Sequence, residues 1–308
     1  MLSFNQRKNV IDKISKAIFL LITVICASVI FVVIGIILYK GISPFLKTYM
    51  VDNLKTRVNL LDFLTGLTWE KGSLDYGVLF ILINTLYITF LSLLISVPIS
   101  VLSALFIVRI APRWLSKILI SVTELLSSVP SIIYGLFGAG IITVLVKNLA
   151  NIFNYQTAGG LSTLATVIVL SMMIMPTITT VSITAIKAVK KEYIDSSLAL
   201  GASKTQTNFK VVLTSAKSGI ISGIVLGIGR ALGEATAVSM VCGNALSGPT
   251  FNLFEITRTL TSTMLSGLNE STGLRYDIRF SIAIVLLILI IIVNLILNKV
   301  KKGLVNTK

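Results

Sequence analysis

The sequence predicts an all-α membrane protein with six transmembrane helices. Hydrophobic residues make up 55% of the 308 residues and charged residues only 13%, and the mean hydropathy is +0.94. This balance differs from that of a soluble domain. Each of six apolar stretches can form a helix of about 20 residues, enough to cross a hydrocarbon core of roughly 30 Å. The stretches are 17–39, 78–108, 118–146, 161–189, 219–241 and 280–297.

The basic residues predict the orientation of these helices. Of the 27 Lys and Arg residues, 17 lie in the two tails and in the segments 109–117 and 187–217, whereas 9 lie in the alternate loops. Loops rich in Lys and Arg stay in the cytoplasm, so both termini are expected to be cytoplasmic. Orientation and contact with lipid headgroups account for the net charge of +15. Nucleic acid is therefore not an expected partner.

The predicted helices divide the chain into four parts. Residues 1–16 form a cytoplasmic tail, and 17–77 contain the first helix and an external loop. Residues 78–298 form the transmembrane core with the cytoplasmic loop 187–217, and 299–308 form a second cytoplasmic tail. The first apolar stretch is too long for a signal-peptide core and has no small-residue cleavage site after it, so it is expected to be retained.

Three prolines, Pro98, Pro130 and Pro176, lie inside predicted helices. Each removes a backbone donor and clashes with the preceding turn, so each is expected to kink or break its helix. Transporters use such broken helices to line a site near the membrane midplane.

The sequence has no pattern that indicates a metal site, a disulfide framework or a P-loop. It contains no His, and Cys26 and Cys242 lie in or beside apolar stretches. Neither a metal site nor a disulfide framework is expected. No G-x-x-x-x-G-K-[ST] motif occurs, so we expect no cofactor on this chain and no P-loop for ATP.

Two charged residues, Arg230 and Glu234, lie in the middle of the fifth apolar stretch. A charge at that depth costs at least about 2.5–3.5 kcal/mol, so it normally faces a cavity, a partner or a substrate. The spacing of four predicts that both side chains lie on one helix face, within ion-pairing reach. Two interpretations stay open. The pair holds helices together, or Arg230 donates hydrogen bonds to an oxyanion in transit while Glu234 balances its charge.

Other polar residues are candidates for the same path. Glu124 lies about 10 Å into the third stretch, counted at 1.5 Å per residue. It either lines the inner half of the path or pairs with a basic residue of a neighbouring helix. Ser127, Ser128 and Ser131 surround Pro130 and offer hydroxyl groups to an anion. Serines in membrane helices more often bond to their own backbone or to a neighbouring helix.

The cytoplasmic loop between the fourth and fifth stretches has a specific pattern. From residue 190 it reads Lys-Lys-Glu-Tyr-Ile-Asp-Ser-Ser-Leu-Ala-Leu-Gly-Ala-Ser-Lys. The pattern predicts a short amphipathic helix to Leu200, a turn at Gly201 and a second helix. Such a unit has no core of its own. Tyr193, Ile194 and Leu198 are therefore expected to be exposed unless a partner covers them.

This loop resembles the coupling loop of ABC importer permeases. That family's pattern has an acidic residue, two small residues, a Gly and an aliphatic–x–Leu–Pro ending, and the matching positions are Asp195, Gly201, Val211 and Leu213. Serines 196 and 197 replace the usual alanines, and Thr214 replaces the usual Pro.

Further motifs narrow the resemblance to one type of permease subunit. They are Phe63-Leu-Thr-Gly66 with Trp69, Ala111-Pro112, Glu124-Leu-Leu-Ser-Ser-Val-Pro-Ser131 with Tyr134-Gly135, and Gly229-Arg-Ala-Leu-Gly-Glu234 with Gly243-Asn244. Together they are similar to the PstC-type permease subunit of phosphate-specific ABC importers, over roughly residues 60–300.

The resemblance implies a type I ABC importer permease with a MetI-like bundle, in the bacterial cytoplasmic membrane. A sister PstA-type permease would form a heterodimer with this chain. Two copies of a cytoplasmic PstB-type ATPase would bind ATP and Mg, and an extracytoplasmic PstS-type protein would deliver phosphate. The chain itself would transport and not catalyse. The implied path residues are Arg230, Glu234, Glu124 and Ser131, and the implied ATPase contacts are Tyr193, Asp195, Leu198, Gly201, Ala202 and Ser203.

Alternatives remain within and outside this family. The nearest are a permease for sulfate or molybdate and the sister PstA-type subunit. A secondary transporter working without ATP also fits six helices with charges near the midplane, but it would leave the segment 195–213 without a purpose.

Overall fold

The computed structural model describes residues 4–51, 54–70 and 75–306, which are mainly helical. Within these residues, six helices are long and apolar enough to cross a membrane. They are Asp12–Leu46, Leu79–Ile110, Ser131–Ile152, Thr163–Lys187, Lys204–Gly233 and Leu274–Lys299. The predicted all-α transmembrane architecture is confirmed.

The elements follow one another with few long connections. In chain order they are α1 (Phe4–Leu46), β1 (Tyr49–Val51), β2 (Leu54–Thr56), α2 (Leu60–Thr65), α3 (Leu79–Leu105), α4 (Arg113–Ser128), α5 (Ser131–Phe137), α6 (Thr143–Ile152), α7 (Thr163–Lys187), α8 (Lys191–Ala199), α9 (Lys204–Gln206), α10 (Leu213–Gly233), α11 (Thr236–Val241), α12 (Leu260–Leu265) and α13 (Leu274–Asn306). Three π-helical turns extend or join helices, at Phe106–Ile110, Gly138–Ile142 and Thr207–Val212. The two strands form an antiparallel hairpin in which Tyr49 lies opposite Thr56.

Helix α7 forms the centre of the bundle. Most of its side chains are buried, and it packs against α3 and α10. Ser92 Oγ of α3 donates to the Val167 carbonyl at 3.3 Å, and Ser171 Oγ of α7 donates to the Ser92 carbonyl at 3.1 Å. Gly219 of α10 lies so close to α7 that a Cβ there would stand 2.4 Å from the Ala185 side chain. Hydroxyl groups and small residues are the usual means of helix association in a membrane.

Helix α1 packs on α13 through its C-terminal turns. A Cβ added at Gly41 would lie 2.7 Å from the Phe280 carbonyl oxygen, and Ser281 Oγ donates to the Gly41 carbonyl at 2.6 Å. Most side chains between 12 and 33 are exposed. This part of α1 is therefore available to lipid or to another subunit.

The loops that follow α1 and α11 pack on each other. The Trp69 amide donates to the Leu246 carbonyl at 2.8 Å, and the Trp69 side chain is fully buried. Arg258, which is 4% exposed, donates from Nε to the Ala245 carbonyl at 2.6 Å and from Nη2 to the Asn244 carbonyl at 2.9 Å. Burial lowers the pKa of Arg258 from its ordinary value. These bonds fix the segment that follows α11.

The third predicted helix, 118–146, is not continuous. Helix α4 ends at Ser128, and Val129 and Pro130 are extended, with ψ angles of 127° and 138°. Pro130 has no N–H to donate, and it disfavours the helical conformation in the residue before it. None of the α4 side chains is buried, and the membrane-spanning helix begins only at Ser131.

Pro98 and Pro176 behave differently from Pro130. Both lie inside continuous helices, α3 and α7, so neither breaks its helix. Pro176 is buried in α7, which neighbouring helices cover on several sides. Such neighbours help membrane helices to tolerate proline.

Candidate functional site

Arg230 lies in the last turn of α10 and is half-buried. Its Nη1 donates to Thr177 Oγ1 of α7 at 2.8 Å. A guanidinium group has five N–H donors. The Thr177 bond is the one hydrogen bond that this side chain makes with the part of the chain the structure describes. Most of its donors are therefore available to another acceptor.

Arg230 lines an open cleft of about 670 Å³ between helices. The lining residues are Ser127, Thr177, Ser222, Val225, Leu226, Gly229, Arg230 and Asn294. Most of them carry hydroxyl, amide or guanidinium groups, which is unusual for helices of this hydropathy. Polar residues at membrane depth normally face the bundle interior or a water-filled cavity. The cleft can thus attract an anion and offer it hydrogen bonds.

The prediction that Arg230 and Glu234 form an ion pair is wrong. Helix α10 ends at Gly233, and Glu234, with a ψ angle of 115°, turns the chain out of that helix toward α11. Glu234 Oε1 instead accepts from the Ala237 amide at 2.9 Å and caps α11. Its carbonyl accepts from Thr261 Oγ1 at 2.6 Å. Among the described residues, no ion pair joins Arg230 to Glu234.

The capping contact predicts how Glu234 variants behave. Glu234→Ala removes the acceptor for the Ala237 amide and is expected to destabilise the fold by about 1 kcal/mol, as other lost caps do. Glu234→Gln keeps an oxygen at that position and is expected to match the wild type. Thermal unfolding of the purified complex measures both. If Glu234→Gln were as destabilising as Glu234→Ala, the negative charge itself would matter and the capping explanation would fail.

Glu124 and Ser131 are not among the residues that line the cleft. Glu124 is exposed on α4, outside the membrane-spanning helices of the described chain, and one turn before Ser127. Ser131 is half-buried at the first position of α5. Ser128 Oγ donates to the Leu125 carbonyl at 2.7 Å and so bonds to its own helix. The roles of Glu124 and Ser131 in the path stay predictions.

The cytoplasmic loop contains the predicted helix and turn. Helix α8 is followed by Gly201 with φ of +84°, a conformation that glycine adopts easily. Ser203 and Gln206 form a capping box that starts the next helix. That helix runs on without interruption into α10, so the second helix of the loop is the beginning of the fifth span.

The surface of this loop is partly apolar. Tyr193 and Leu198 are exposed, as predicted, and Leu200 is the most exposed of the large hydrophobic residues described, at 89%. Asp195 and Ser203 are also exposed, and Ala202 is half-buried. A group of exposed apolar side chains such as Tyr193, Leu198 and Leu200 is typical of a contact with another protein.

Ile194 is buried, and its predicted exposure is wrong. It is only 8% exposed because it packs into a cluster with Leu105, Ile107 and Val212. The helical repeat turns Ile194 toward the ends of α3 and α10 while Tyr193 and Leu198 turn away. The loop thus shares a small core with the transmembrane bundle.

Two polar contacts reinforce that attachment. Ser197 Oγ lies 3.0 Å from Thr207 Oγ1, and Arg109 Nε donates to Asn208 Oδ1 at 3.1 Å. Arg109 lies in the π-helical turn that ends α3, and Asn208 lies in the one that leads into α10. The first contact joins α8 to the segment that leads into α10, and the second joins that segment to the end of α3.

Thr177, Ser222 and Asn294 line the cleft but are not among the residues predicted for the path. Asn294 does carry a sequence signal, because it interrupts the apolar run of α13 at membrane depth. Thr177 and Ser222 carry none, since hydroxyl side chains are common in helices. Ser222 Oγ, for example, donates to the Ser218 carbonyl at 2.9 Å.

The fold and a family match indicate the same class of protein, a membrane subunit of a binding-protein-dependent transport system. The whole fold is similar to that of a subunit of a bacterial alginate ABC transporter, with a TM-score of 0.65, 17% identity and 95% of each chain covered. A subunit of the MetNI methionine ABC transporter gives a TM-score of 0.53 at 18% identity, covering 74% of this chain and 94% of that one. Residues 96–305 match the family described as binding-protein-dependent transport system inner membrane component, and the chain belongs to that family.

Relatives with higher sequence identity narrow the class to ABC transporter permeases. A probable ABC transporter permease protein, YqgH of Bacillus subtilis, is 36% identical over 242 residues, 78% of this chain and 74% of that protein. The phosphate transport system permease protein PstC of Pasteurella multocida is 33% identical, covering 69% of this chain and 71% of that one. PstC 2 of Mycobacterium tuberculosis is 32% identical, covering 78% and 77%. The resemblance to PstC-type permeases is confirmed.

Proposed function

We propose that this chain is the PstC-type permease subunit of an ATP-driven importer of inorganic phosphate. The observation that carries this conclusion is the half-buried Arg230, which lines a cleft with hydroxyl and amide side chains in a bundle of the ABC permease family. The relatives described as phosphate transport permeases support phosphate as the anion.

The cleft provides the chemistry that a phosphate path needs. The guanidinium fork of Arg230 matches the spacing of two phosphate oxygens. Thr177 holds Nη1 by one hydrogen bond, and the hydroxyl group of Ser127 and the amide group of Asn294 also line the cleft, where they can donate to the remaining oxygens. A single cation with neutral donors attracts the anion and still permits its release.

The cytoplasmic loop provides the connection to ATP hydrolysis. The exposed side chains of Tyr193, Leu198 and Leu200 dock onto a partner ATPase, which binds ATP and Mg. Ile194 and the Arg109–Asn208 hydrogen bond transmit the movement of α8 to α3 and α10. In this division of labour the chain is not an enzyme.

The remaining partners follow from the same assignment. A PstA-type sister permease completes the path, two PstB-type ATPases drive it, and a PstS-type protein delivers phosphate from outside. The chain lies in the bacterial cytoplasmic membrane with both termini inside, since its basic residues concentrate in the tails and alternate loops. A permease for sulfate or molybdate is the second candidate, because the cleft chemistry suits any tetrahedral oxyanion.

Co-purification tests the assignment to an ABC importer. A tagged chain expressed with its neighbouring genes is expected to purify with a sister permease and a P-loop ATPase in a 1:1:2 ratio. Substitution of the exposed Leu200 by Glu is expected to remove the ATPase while the sister permease stays bound. Phosphate transport by the chain without any ATPase would show a secondary transporter and contradict the proposal.

Cysteine labelling tests the orientation. In a background with Cys26 and Cys242 replaced by Ala, Lys204→Cys is expected to react with an impermeant maleimide only when the inner face is accessible. Asn154→Cys, in the exposed connection after α6, is expected to react in intact cells. Labelling of position 204 in intact cells would show that the chain has the opposite orientation.

A further inference from the structure

The cleft around Arg230 contains a single charge. Arg230 is the one charged side chain among the lining residues, which belong to α4, α7, α10 and α13. The nearest carboxylates in sequence do not line the cleft, because Glu234 caps α11 and Glu124 is exposed on α4. The remaining charged side chains of these four helices are also outside the lining. Tyr134 of α5 lies within electrostatic reach of Arg230, but its hydroxyl donates to the Leu126 carbonyl at 2.9 Å and does not line the cleft.

Two oxygens in the lining of the cleft can accept hydrogen bonds. Ser222 Oγ donates its hydrogen to the Ser218 carbonyl at 2.9 Å, so this hydroxyl presents lone pairs to a ligand. The side-chain amide of Asn294 makes no hydrogen bond within the described part of the chain, so its oxygen is free to accept one. A fully ionised anion has no hydrogen to give to such acceptors. The cleft therefore suits an oxyanion that carries hydroxyl groups beside its negative charge.

Given the proposed function, on which this inference rests, we propose that the cleft binds phosphate in its monovalent form, dihydrogen phosphate. The charge of Arg230 balances one negative charge. The divalent form would leave a net negative charge beside Thr177, near the middle of the span Thr163–Lys187, where an unbalanced charge is costly. The two hydroxyl groups of the monovalent form also match the two acceptors, Ser222 and Asn294.

Binding of the monovalent form makes the affinity of the cleft for phosphate depend on pH. The second ionisation of phosphate falls near neutral pH, so the monovalent form predominates in an acidic buffer of about pH 6 and the divalent form in an alkaline buffer of about pH 8. Since the monovalent form carries one more proton, the apparent affinity is expected to be about tenfold higher in the acidic buffer. The chain contains no His, the side chain that ordinarily titrates in this interval, so the charge of the cleft itself stays constant. Sulfate stays divalent in both buffers and is expected to bind weakly in both.

Equilibrium binding of labelled phosphate and labelled sulfate to the assembled complex tests the proposal. The purified complex is used without its delivery protein and without nucleotide, in the two buffers at equal ionic strength. Binding that Arg230→Gln removes is counted as binding in the cleft, because the phosphate-binding loop of an ATPase also holds anions. The wild type is expected to bind phosphate about tenfold more tightly in the acidic buffer. Sulfate controls for titration elsewhere in the complex and is expected to show no such dependence.

Three variants of α13 separate the charge of the cleft from its hydrogen bonds. Asn294→Lys adds a second cation to the cleft, so the preference for the acidic buffer is expected to disappear and sulfate is expected to bind. Asn294→Leu keeps the approximate size but removes the acceptor, so phosphate affinity in the acidic buffer is expected to fall about tenfold. Asn298→Lys, one turn further along α13, is the matched control, because Asn298 is exposed and does not line the cleft. It is expected to bind both anions like the wild type.

The results that would overturn this proposal differ from those that would overturn the proposed function. Equal phosphate affinity in the two buffers would show that the cleft also holds the divalent form, with a second cation from the sister permease. A wild-type response of Asn294→Lys would show that the charge of the cleft does not select the ion. In both cases binding that depends on Arg230 would remain, and the assignment to phosphate would stand. Phosphate binding that Arg230→Gln leaves unchanged in both buffers would contradict the proposed function as well.

Discussion

Arg230→Gln is expected to lower phosphate uptake by about tenfold or more, because it removes charge-assisted hydrogen bonds worth about 1.5–3 kcal/mol. The complex is expected to assemble normally, since Arg230 makes a single hydrogen bond, to Thr177, within the described part of the chain. Uptake into vesicles carrying the reconstituted complex, normalised to assembled complex, measures the effect. Arsenate, which has the same charge and geometry, is expected to follow phosphate.

Three variants separate the chemistry of Arg230 from its charge and its packing. Arg230→Lys keeps the charge but not the fork, so uptake is expected to be intermediate. Thr177→Val removes the hydroxyl that holds the guanidinium and is expected to have a smaller effect than Arg230→Gln. Lys147→Gln removes a cation outside the cleft and is expected to leave uptake unchanged. Wild-type uptake by Arg230→Gln would make Arg230 structural and move the path elsewhere.

Gly201→Val is expected to abolish ATPase association and uptake while membrane insertion stays normal. Gly201 has φ of +84°, and a β-branched residue held there costs roughly 1–3 kcal/mol. A Cβ at this position would meet nothing within 4 Å in this chain, so backbone strain, and not a clash within the subunit, is the cause. The turn that presents Leu200 would then adopt another conformation.

Gly201→Asn is the matched control, because asparagine tolerates a positive φ better than other residues with a side chain. It is expected to retain most of the ATPase, which pull-down of the tagged chain measures. If Gly201→Val retained the ATPase at the wild-type level, the left-handed turn would not be needed for docking. Equal loss in both variants would instead assign the effect to the side chain itself.

The helices that the sequence predicted well are those marked by a long apolar run. The spans around 78–108 and 161–189 appear nearly as expected, because a long apolar run determines a membrane helix largely by itself. Pro130 and Pro176 offer the same local signal, yet only Pro130 breaks a helix. The difference is tertiary, since helices cover α7 on several sides whereas α4 has no buried side chain.

The sequence predicted only those features of the candidate site that have a local signal. Arg230 was identifiable because a charge inside an apolar run is costly. Its contact with Thr177 depends on how α7 and α10 pack, and no local pattern indicates it. The end of α10 at Gly233 likewise depends on the cap that Glu234 gives to α11.

Uptake of labelled phosphate into vesicles that contain the assembled complex and its delivery protein measures whether the chain belongs to an ATP-driven phosphate importer. We expect uptake that requires ATP and the delivery protein. Arsenate is expected to inhibit it, and a tenfold excess of sulfate or molybdate is expected to leave it unchanged. Uptake of sulfate or molybdate in preference to phosphate, or phosphate uptake that persists without ATP, would contradict this assignment.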